Sequence, residues 1–216
     1  MTTYSHLIFD LDGTLINSKT GLYNSLSYML SEMQLDPKGA ACIDRMIGPP
    51  IQDGLKQVLG FNDRQVESGV RLFREYYSQK GLYEGELYPG VAELLEALQA
   101  QGKKLFIATS KKDCFVETVL REFELDRYLT DFQGAGDGAL HTKAELITRL
   151  MDRNQLTASK QIVMIGDTRY DITGGKANEI STIGVGYGFG NSAEIRSLQP
   201  DYYVEDVDEL TELLAG

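Results

Sequence analysis

The chain has 216 residues, of which 42% are hydrophobic and 25% are charged, and these proportions predict a globular protein with enough apolar residues for a core. Its formal net charge of −11 repels nucleic acid and anionic membrane surfaces, so we expect neither as a partner. The two cysteines form no CxxC pair, which excludes a disulfide framework and a cysteine-based zinc site. Because the N-terminus also lacks a basic segment followed by a long apolar one, we expect a cytoplasmic protein.

Short apolar runs along the chain predict the strands of a parallel sheet. Their near-continuous apolar character is typical of strands that are covered on both faces. Amphipathic segments between them predict helices, one with Pro89 at its first position and one that opens with a capping box of Thr142 and Glu145. This alternation favours an α/β fold with a doubly wound, Rossmann-like parallel sheet as its core. The predicted strands are 6–9, 104–108, 161–165 and 182–185, with weaker candidates at 132–134 and 201–204.

One long segment, 18–88, breaks this alternation because it contains only helical patterns. Apolar residues recur there at helical spacing in three stripes, and a further helix is expected to begin at Asp36–Pro37. We therefore predict an all-helical cap domain at 18–88, inserted into a catalytic core that is formed by 1–17 and 89–216.

Polar and charged side chains follow three of the predicted strands, and a lysine opens a helix between them. In an open parallel sheet, ligands bind beyond the carboxyl ends of the strands, so we expect these side chains to form a site. Grouped carboxylates repel each other unless a cation is present, and oxygen ligands without histidine or cysteine favour Mg²⁺. The side chains are Asp10, Asp12, Thr109, Ser110, Lys143, Asp167 and Asp171.

Such a set of side chains suits phosphoryl transfer. One carboxylate can attack phosphorus while a metal ion and a lysine neutralise the phosphate. A second carboxylate can protonate the leaving oxygen and then activate water against the aspartyl-phosphate. We assign the nucleophile to Asp10 and the acid/base role to Asp12, and we expect Gly13 to let the chain turn tightly past the phosphate.

Four motifs in this sequence resemble those of the haloacid dehalogenase superfamily of phosphatases. They are the DxDGT of residues 10–14, Thr109 within LFIATSK, Lys143, and the GDxxxD of residues 166–171, and they occur in the order of that family. The helical segment after the first motif resembles the helical cap of the family. The segments RMIGPPIQDGL, LYPGVAELLEAL and GVGYGFGN are similar to its phosphoglycolate phosphatase-like branch.

The resemblance implies roles for the side chains that follow the strands. It implies that Lys143 and Thr109 act in catalysis and bind phosphate, although Lys143 is followed here by Ala144 where the family often has proline. Ser110 and Gly13 would bind phosphate as well. The implied Mg²⁺ ligands are Asp10, Asp12 through its backbone carbonyl, Asp167 and Asp171, the last of them directly or through water.

Four residues of the predicted cap are candidates for contact with substrate. Pro49 lies in the IGPP turn of residues 47–50, and Arg45 and Gln52 lie on either side of it; the turn would face the core site when the cap closes. Lys19 lies where the first linker meets the cap.

Two further features near the predicted site have a simpler interpretation. Lys111 and Lys112 are expected to be solvated residues at a helix start. The glycines at 184, 186, 188 and 190 lack the GxGxxG form of a phosphate-binding loop, so we expect a flexible loop.

The function predicted from the sequence is that of a Mg²⁺-dependent phosphatase of a small phosphorylated metabolite, active as a monomer or weak homodimer. A phosphoglycolate-like acid or a nucleoside monophosphate would be the substrate. The same chemistry also allows a 5′-nucleotidase or pyrophosphatase specialisation, and a sugar phosphomutase. A non-catalytic, receiver-like phospho-switch is a further alternative, which the early position of the DxD motif and the predicted cap disfavour.

Overall fold

The computed structural model describes residues 4–35, 40–136 and 142–215, and it has the α/β fold that the sequence predicts. The chain divides into two compact units, one formed by 1–17 and 87–216 and the other by 18–86. The helix start expected at Asp36–Pro37 lies outside the described residues. Among the described residues, no helix is long and apolar enough to span a membrane.

The first unit is built on a six-stranded sheet with the strand order β5-β4-β1-β6-β7-β8, and all paired neighbours run parallel. The chain passes from β1 outward to β4 and β5 and then returns to the other side of β1, so the sheet is doubly wound. Two further strands form a separate two-stranded sheet. The strands are β1 (His6–Phe9), β2 (Ile16–Asn17), β3 (Glu86–Leu87), β4 (Lys104–Ala108), β5 (Asp131–Gln133), β6 (Ile162–Gly166), β7 (Ser181–Val185) and β8 (Tyr202–Val204).

Helices cover the sheet of the first unit. The central strands are mostly apolar and their faces are buried, as Phe106 and Met164 show with at most 1% exposure. Helices α7 and α8 pack against each other, and so do α5 and α10. The helices are α5 (Val91–Ala100), α6 (Asp113–Glu122), α7 (Lys143–Arg153), α8 (Arg169–Ala177), α9 (Ser192–Ser197) and α10 (Val207–Ala215).

The second unit is helical up to Glu86, which begins β3, and a cap domain with the bounds 18–88 stays a prediction. Its helices are α1 (Lys19–Glu32), α2 (Ala40–Asp44), α3 (Ile51–Leu59) and α4 (Asp63–Gln79), followed by a 3₁₀ turn at Gly81–Tyr83. Helices α1 and α4 pack together over a core that includes Leu26, Met29 and Phe73. Gly21 allows α1 to approach the 3₁₀ turn closely, since a Cβ there would lie 2.0 Å from the carbonyl oxygen of Gly81.

Candidate active site

The register of the sheet brings the polar strand ends to one edge. Phe9 of β1 is paired with Ile107 of β4 and Ile165 of β6, so the residues that follow these three strands emerge side by side. The backbone N–H of Asp10 donates to the carbonyl oxygen of Ile165 at 2.9 Å, which continues the pairing one residue further. Asp10, Thr109 and Asp167 therefore leave the sheet at the same edge, where ligands bind in this architecture.

Lys143 links the ends of β1 and β4 to helix α8. Its Nζ donates to Oδ1 of Asp10 at 2.8 Å and to the carbonyl oxygen of Ala108 at 2.9 Å, and it lies 2.8 Å from Oδ1 of Asp171. The predicted capping box is confirmed, since Thr142 and Glu145 satisfy each other's backbone N–H groups. This cap makes Lys143 the first residue of α7 and points the buried ammonium group at two carboxylates.

Asp167 is buried and held by neutral donors. Its Oδ1 accepts from Oγ1 of Thr14 at 3.0 Å, and its Oδ2 accepts from the backbone N–H of Phe189 at 2.8 Å. Gly13 adopts φ +86°, and a Cβ there would lie 2.3 Å from Oδ2 of Asp167. Only glycine suits both this backbone conformation and this close approach.

The glycine-rich segment after β7 packs against Asp167. Its flexibility stays a prediction. A Cβ at Gly188 would lie 2.3 Å from Cβ of Asp167, and one at Gly190 would lie 1.8 Å from its carbonyl oxygen. The hydroxyl of Tyr187 donates to the carbonyl oxygen of Thr14 at 3.0 Å and joins this segment to the turn after β1. The signal in the sequence is the alternation of glycines directly after a buried strand.

Burial and mutual repulsion change the pKa values of the buried acids. Burial, opposed by Lys143 and reinforced by Asp171, raises the pKa of Asp10 to about 6. Burial and the charges of Asp10 and Asp171 raise the pKa of Asp167 to about 8. Burial lowers the pKa of Lys143, but the two carboxylates beside it outweigh that effect, so its pKa lies above the usual value. The lysine is therefore a fixed cation.

Three of the acids could hold a metal ion together. One carboxylate oxygen from each of Asp10, Asp167 and Asp171 lies within 4.8 Å of the others. When all are ionised, these three and Asp12 supply four carboxylates against the two lysines that pair with them, so two negative charges remain for a divalent cation to balance. The oxygen-only donor set fits a hard cation.

The carboxylate of Asp12 does not belong to this cluster but pairs with Lys111. Nζ of Lys111 donates to Oδ1 of Asp12 at 2.9 Å, and the Lys111 side chain is only 5% exposed. The expectation that Lys111 is solvated is therefore wrong, because the turn after β4 directs it towards the end of β1. Metal binding by the backbone carbonyl of Asp12 stays a prediction.

Thr109 and Ser110 differ in their surroundings. Thr109 is buried, its N–H donates to the carbonyl oxygen of Gln133, and its Oγ1 accepts from the N–H of Lys111 at 3.3 Å. Ser110 is exposed. Their contacts with phosphate, like that of Gly13, stay predictions.

The four residues predicted to contact substrate from the cap all lie in the second unit. Nζ of Lys19, in the first turn of α1, lies 3.1 Å from Oδ1 of Asp44. Arg45 is exposed, Pro49 precedes α3, and Gln52 lies in the first turn of that helix. Their contact with substrate stays a prediction.

The chain is similar to several known proteins. A protein of Pseudomonas aeruginosa named 5′-nucleotidase is 37% identical over 212 residues, which cover 98% of this chain and 96% of the relative. A protein of Vibrio parahaemolyticus named phosphoglycolate phosphatase is 29% identical, covering 97% and 95%. The crystal structure of a predicted phosphatase from Clostridium acetobutylicum matches with a TM-score of 0.93 and 32% identity over 99% of both chains.

A family model described as haloacid dehalogenase-like hydrolase matches residues 7–185. That range begins within β1 and ends with β7, and it contains every strand end that contributes to the site. The chain belongs to the haloacid dehalogenase-like hydrolase family and is, by class, a phosphoric monoester hydrolase.

Proposed function

We propose that the chain is a Mg²⁺-dependent phosphatase that hydrolyses a small phosphomonoester through an aspartyl-phosphate on Asp10. The observation that carries this proposal is the pairing of Asp10 with Lys143 beside two further buried carboxylates. Asp10, Asp167 and Asp171 would hold the cation, with the backbone carbonyl of Asp12 as a further ligand. When bound, Mg²⁺ would neutralise the charge of the phosphate and favour the ionised form of Asp10.

In the first step, a carboxylate oxygen of Asp10 attacks phosphorus and the bond to the ester oxygen breaks. Asp12, two residues further along, gives its proton to the leaving oxygen, so that an alcohol departs. Lys143 stabilises the negative charge that develops on the phosphoryl group, because its ammonium lies 2.8 Å from Oδ1 of Asp10. Thr109 and Ser110 would bind the phosphoryl oxygens.

In the second step, water replaces Asp10 on phosphorus. Asp12, now ionised, takes a proton from the water as it attacks, and the step releases inorganic phosphate and the free carboxylate of Asp10. The same carboxylate thus serves as acid and then as base. The first proton leaves with the alcohol and the second comes from water, so the protonated form of Asp12 is restored and the cycle closes without another acid.

A nucleoside 5′-monophosphate is the substrate class that we propose to test first. The relative named 5′-nucleotidase supports it, because its identity of 37% exceeds the 29% of the relative named phosphoglycolate phosphatase. Arg45, Pro49, Gln52 and Lys19 of the second unit remain our candidates for the residues that select the leaving group. We further expect a cytoplasmic enzyme, monomeric or weakly dimeric.

A phosphate-release panel tests this function. It compares nucleoside 5′-monophosphates, 2-phosphoglycolate, pyrophosphate and hexose phosphates, each with Mg²⁺ and with a chelator. We expect one ester to be preferred by about a hundredfold, which corresponds to about 2.7 kcal/mol in the transition state. Release should stop with chelator.

Asp10→Asn is the matched control for that panel, since an amide occupies the same space but is a much poorer nucleophile. We expect its turnover to fall to the background rate. Substantial release by Asp10→Asn would remove Asp10 as the nucleophile. Isomerisation of a hexose phosphate without phosphate release would instead identify a phosphomutase.

A further inference from the structure

A second buried lysine lies at the site, and the proposed reaction gives it no role. Nζ of Lys111 donates to Oδ1 of Asp12 at 2.9 Å, and the lysine side chain is 5% exposed. We propose that Lys111 is a positioning residue that holds the carboxylate of Asp12 where it transfers protons. This inference rests on the proposed function, because it concerns how Asp12 acts in that reaction.

The backbone of Lys111 is fixed on both sides. Its N–H donates to Oγ1 of Thr109 at 3.3 Å, and its carbonyl oxygen accepts from the N–H of Ala135 at 2.8 Å. A Cβ at Gly134 would lie 2.6 Å from that carbonyl oxygen, so glycine at this position allows the two segments to approach closely. The long side chain therefore starts from a fixed point at the end of β4.

Asp12 has a well-held backbone but a more exposed side chain. Asp12 forms a β-bridge with Ile16, and the N–H of Gly13 donates to the carbonyl oxygen of Ile16 at 2.8 Å. The Asp12 side chain is 21% exposed, against 5% for Lys111. A carboxyl group on two rotatable bonds can take several rotamers. The hydrogen bond from the buried ammonium of Lys111 to Oδ1 favours one of them and leaves Oδ2 to carry the proton.

The other buried lysine of the site, Lys143, pairs with different carboxylates. The ammonium of Lys143 donates to Oδ1 of Asp10 and to the carbonyl oxygen of Ala108, and it lies 2.8 Å from Oδ1 of Asp171. The two lysines therefore serve different carboxylates. Lys143 holds the nucleophile, and Lys111 holds the acid/base residue.

A double-mutant cycle tests this assignment. Lys111→Met keeps most of the volume of the stem and removes the charge, so we expect kcat to fall about tenfold to a hundredfold while KM changes less than about twofold. In an Asp12→Asn background, measured at high enzyme concentration, Lys111→Met should cause no further loss, since the carboxylate that it positions is gone.

Lys112→Met is the matched control, because it removes the same charge from the next residue, and we expect it to keep the kcat of the parent. Melting curves check that each variant folds. If Lys111→Met does not fold, Lys111→Gln replaces it in the same cycle.

Two results would overturn the inference. The first is a Lys111→Met variant with the kcat of the parent. The second is an equal loss in the parent and in the Asp12→Asn background, with KM raised in both, which would assign Lys111 to phosphate binding instead. A parent that releases no phosphate would remove the proposed function itself, and the role of Lys111 with it. An active parent with an unaffected Lys111→Met variant would remove only this inference.

Discussion

At the scale of single residues, the raised pKa of Asp167 makes the stability of the fold depend on pH. In the unfolded chain an aspartate titrates near pH 4, whereas burial and the charges of Asp10 and Asp171 raise the pKa of Asp167 to about 8 in the fold. Between those values the folded chain keeps a proton that the unfolded chain has lost. This contribution to stability is complete below about pH 4 and is lost as the pH rises to about 8.

The first prediction follows from that sign. In the presence of a chelator, Asp167→Asn should gain stability relative to the parent as the pH rises from about 5 to 8, by up to about 1.4 kcal/mol per pH unit. The amide can still accept from the N–H of Phe189 and donate to Oγ1 of Thr14, so the two hydrogen bonds are kept. Urea unfolding at several pH values measures the difference.

Saturating Mg²⁺ provides the control for that comparison. With the cation bound, the parent should be the more stable protein, because the charged form of Asp167 is then favoured. A difference between the two proteins that does not vary with pH in chelator would show that Asp167 is ionised in the metal-free fold.

At the same scale, the sequence indicates which side chains form the site but not how they are held. The order of the motifs places Asp10, Lys143 and Asp171 together, and the structure joins them through one ammonium group. The hydrogen bond from the backbone N–H of Phe189 to Asp167 cannot be predicted from the sequence, because every residue except proline carries this donor. Lys111 stands beside Lys112 at a predicted helix start, where lysines are usually solvated. Only the path of the chain after β4 buries its side chain.

At the scale of elements, the helix cap of α7 connects stability with catalysis. Thr142 and Glu145 close a capping box directly before Lys143, and Asn62 and Gln65 close another at the start of α4. The two boxes have the same form, but only the first one carries a site residue. Each should stabilise its helix by about 1 kcal/mol.

The second prediction compares the two caps. Thr142→Ala and Asn62→Ala should each lower the free energy of unfolding by about 1 kcal/mol. Only Thr142→Ala should also lower kcat, because it loosens the turn that directs Lys143 to Asp10. Steady-state kinetics and denaturant melts of both variants measure the two effects. Equal kcat in both variants would mean that packing around Lys143, without the cap, is enough to hold it.

The elements also show where sequence patterns suffice. All six strands of the large sheet lie within one residue of their predicted bounds, because a short apolar run between polar residues marks both ends of a buried strand. The two-residue strands β2 and β3 were not predicted, since two residues carry no periodicity. Pro89 does not begin α5, because Gly90 at φ +86° lies between it and the first helical residue, Val91.

At the scale of the whole molecule, the negative charge has a diffuse part and a local part. With a net charge of −11, the acidic side chains repel one another across the molecule, and any salt weakens that repulsion by screening. The cluster of Asp10, Asp167 and Asp171 is different, because it is buried and lies beyond the reach of a diffuse ion atmosphere. Mg²⁺ should therefore stabilise the protein by more than its ionic strength explains.

The third prediction separates the two parts. At equal ionic strength, MgCl₂ should raise the melting temperature above that in NaCl. The matching excess in the free energy of unfolding should grow with Mg²⁺ concentration and reach about 2.7 kcal/mol at one hundred times the dissociation constant. Asp167→Asn should lose the excess. Glu67→Gln makes the same change of charge at an exposed position of α4 and should keep it. If both variants keep the excess, the cation binds elsewhere on this acidic surface, and the buried carboxylates are not its site.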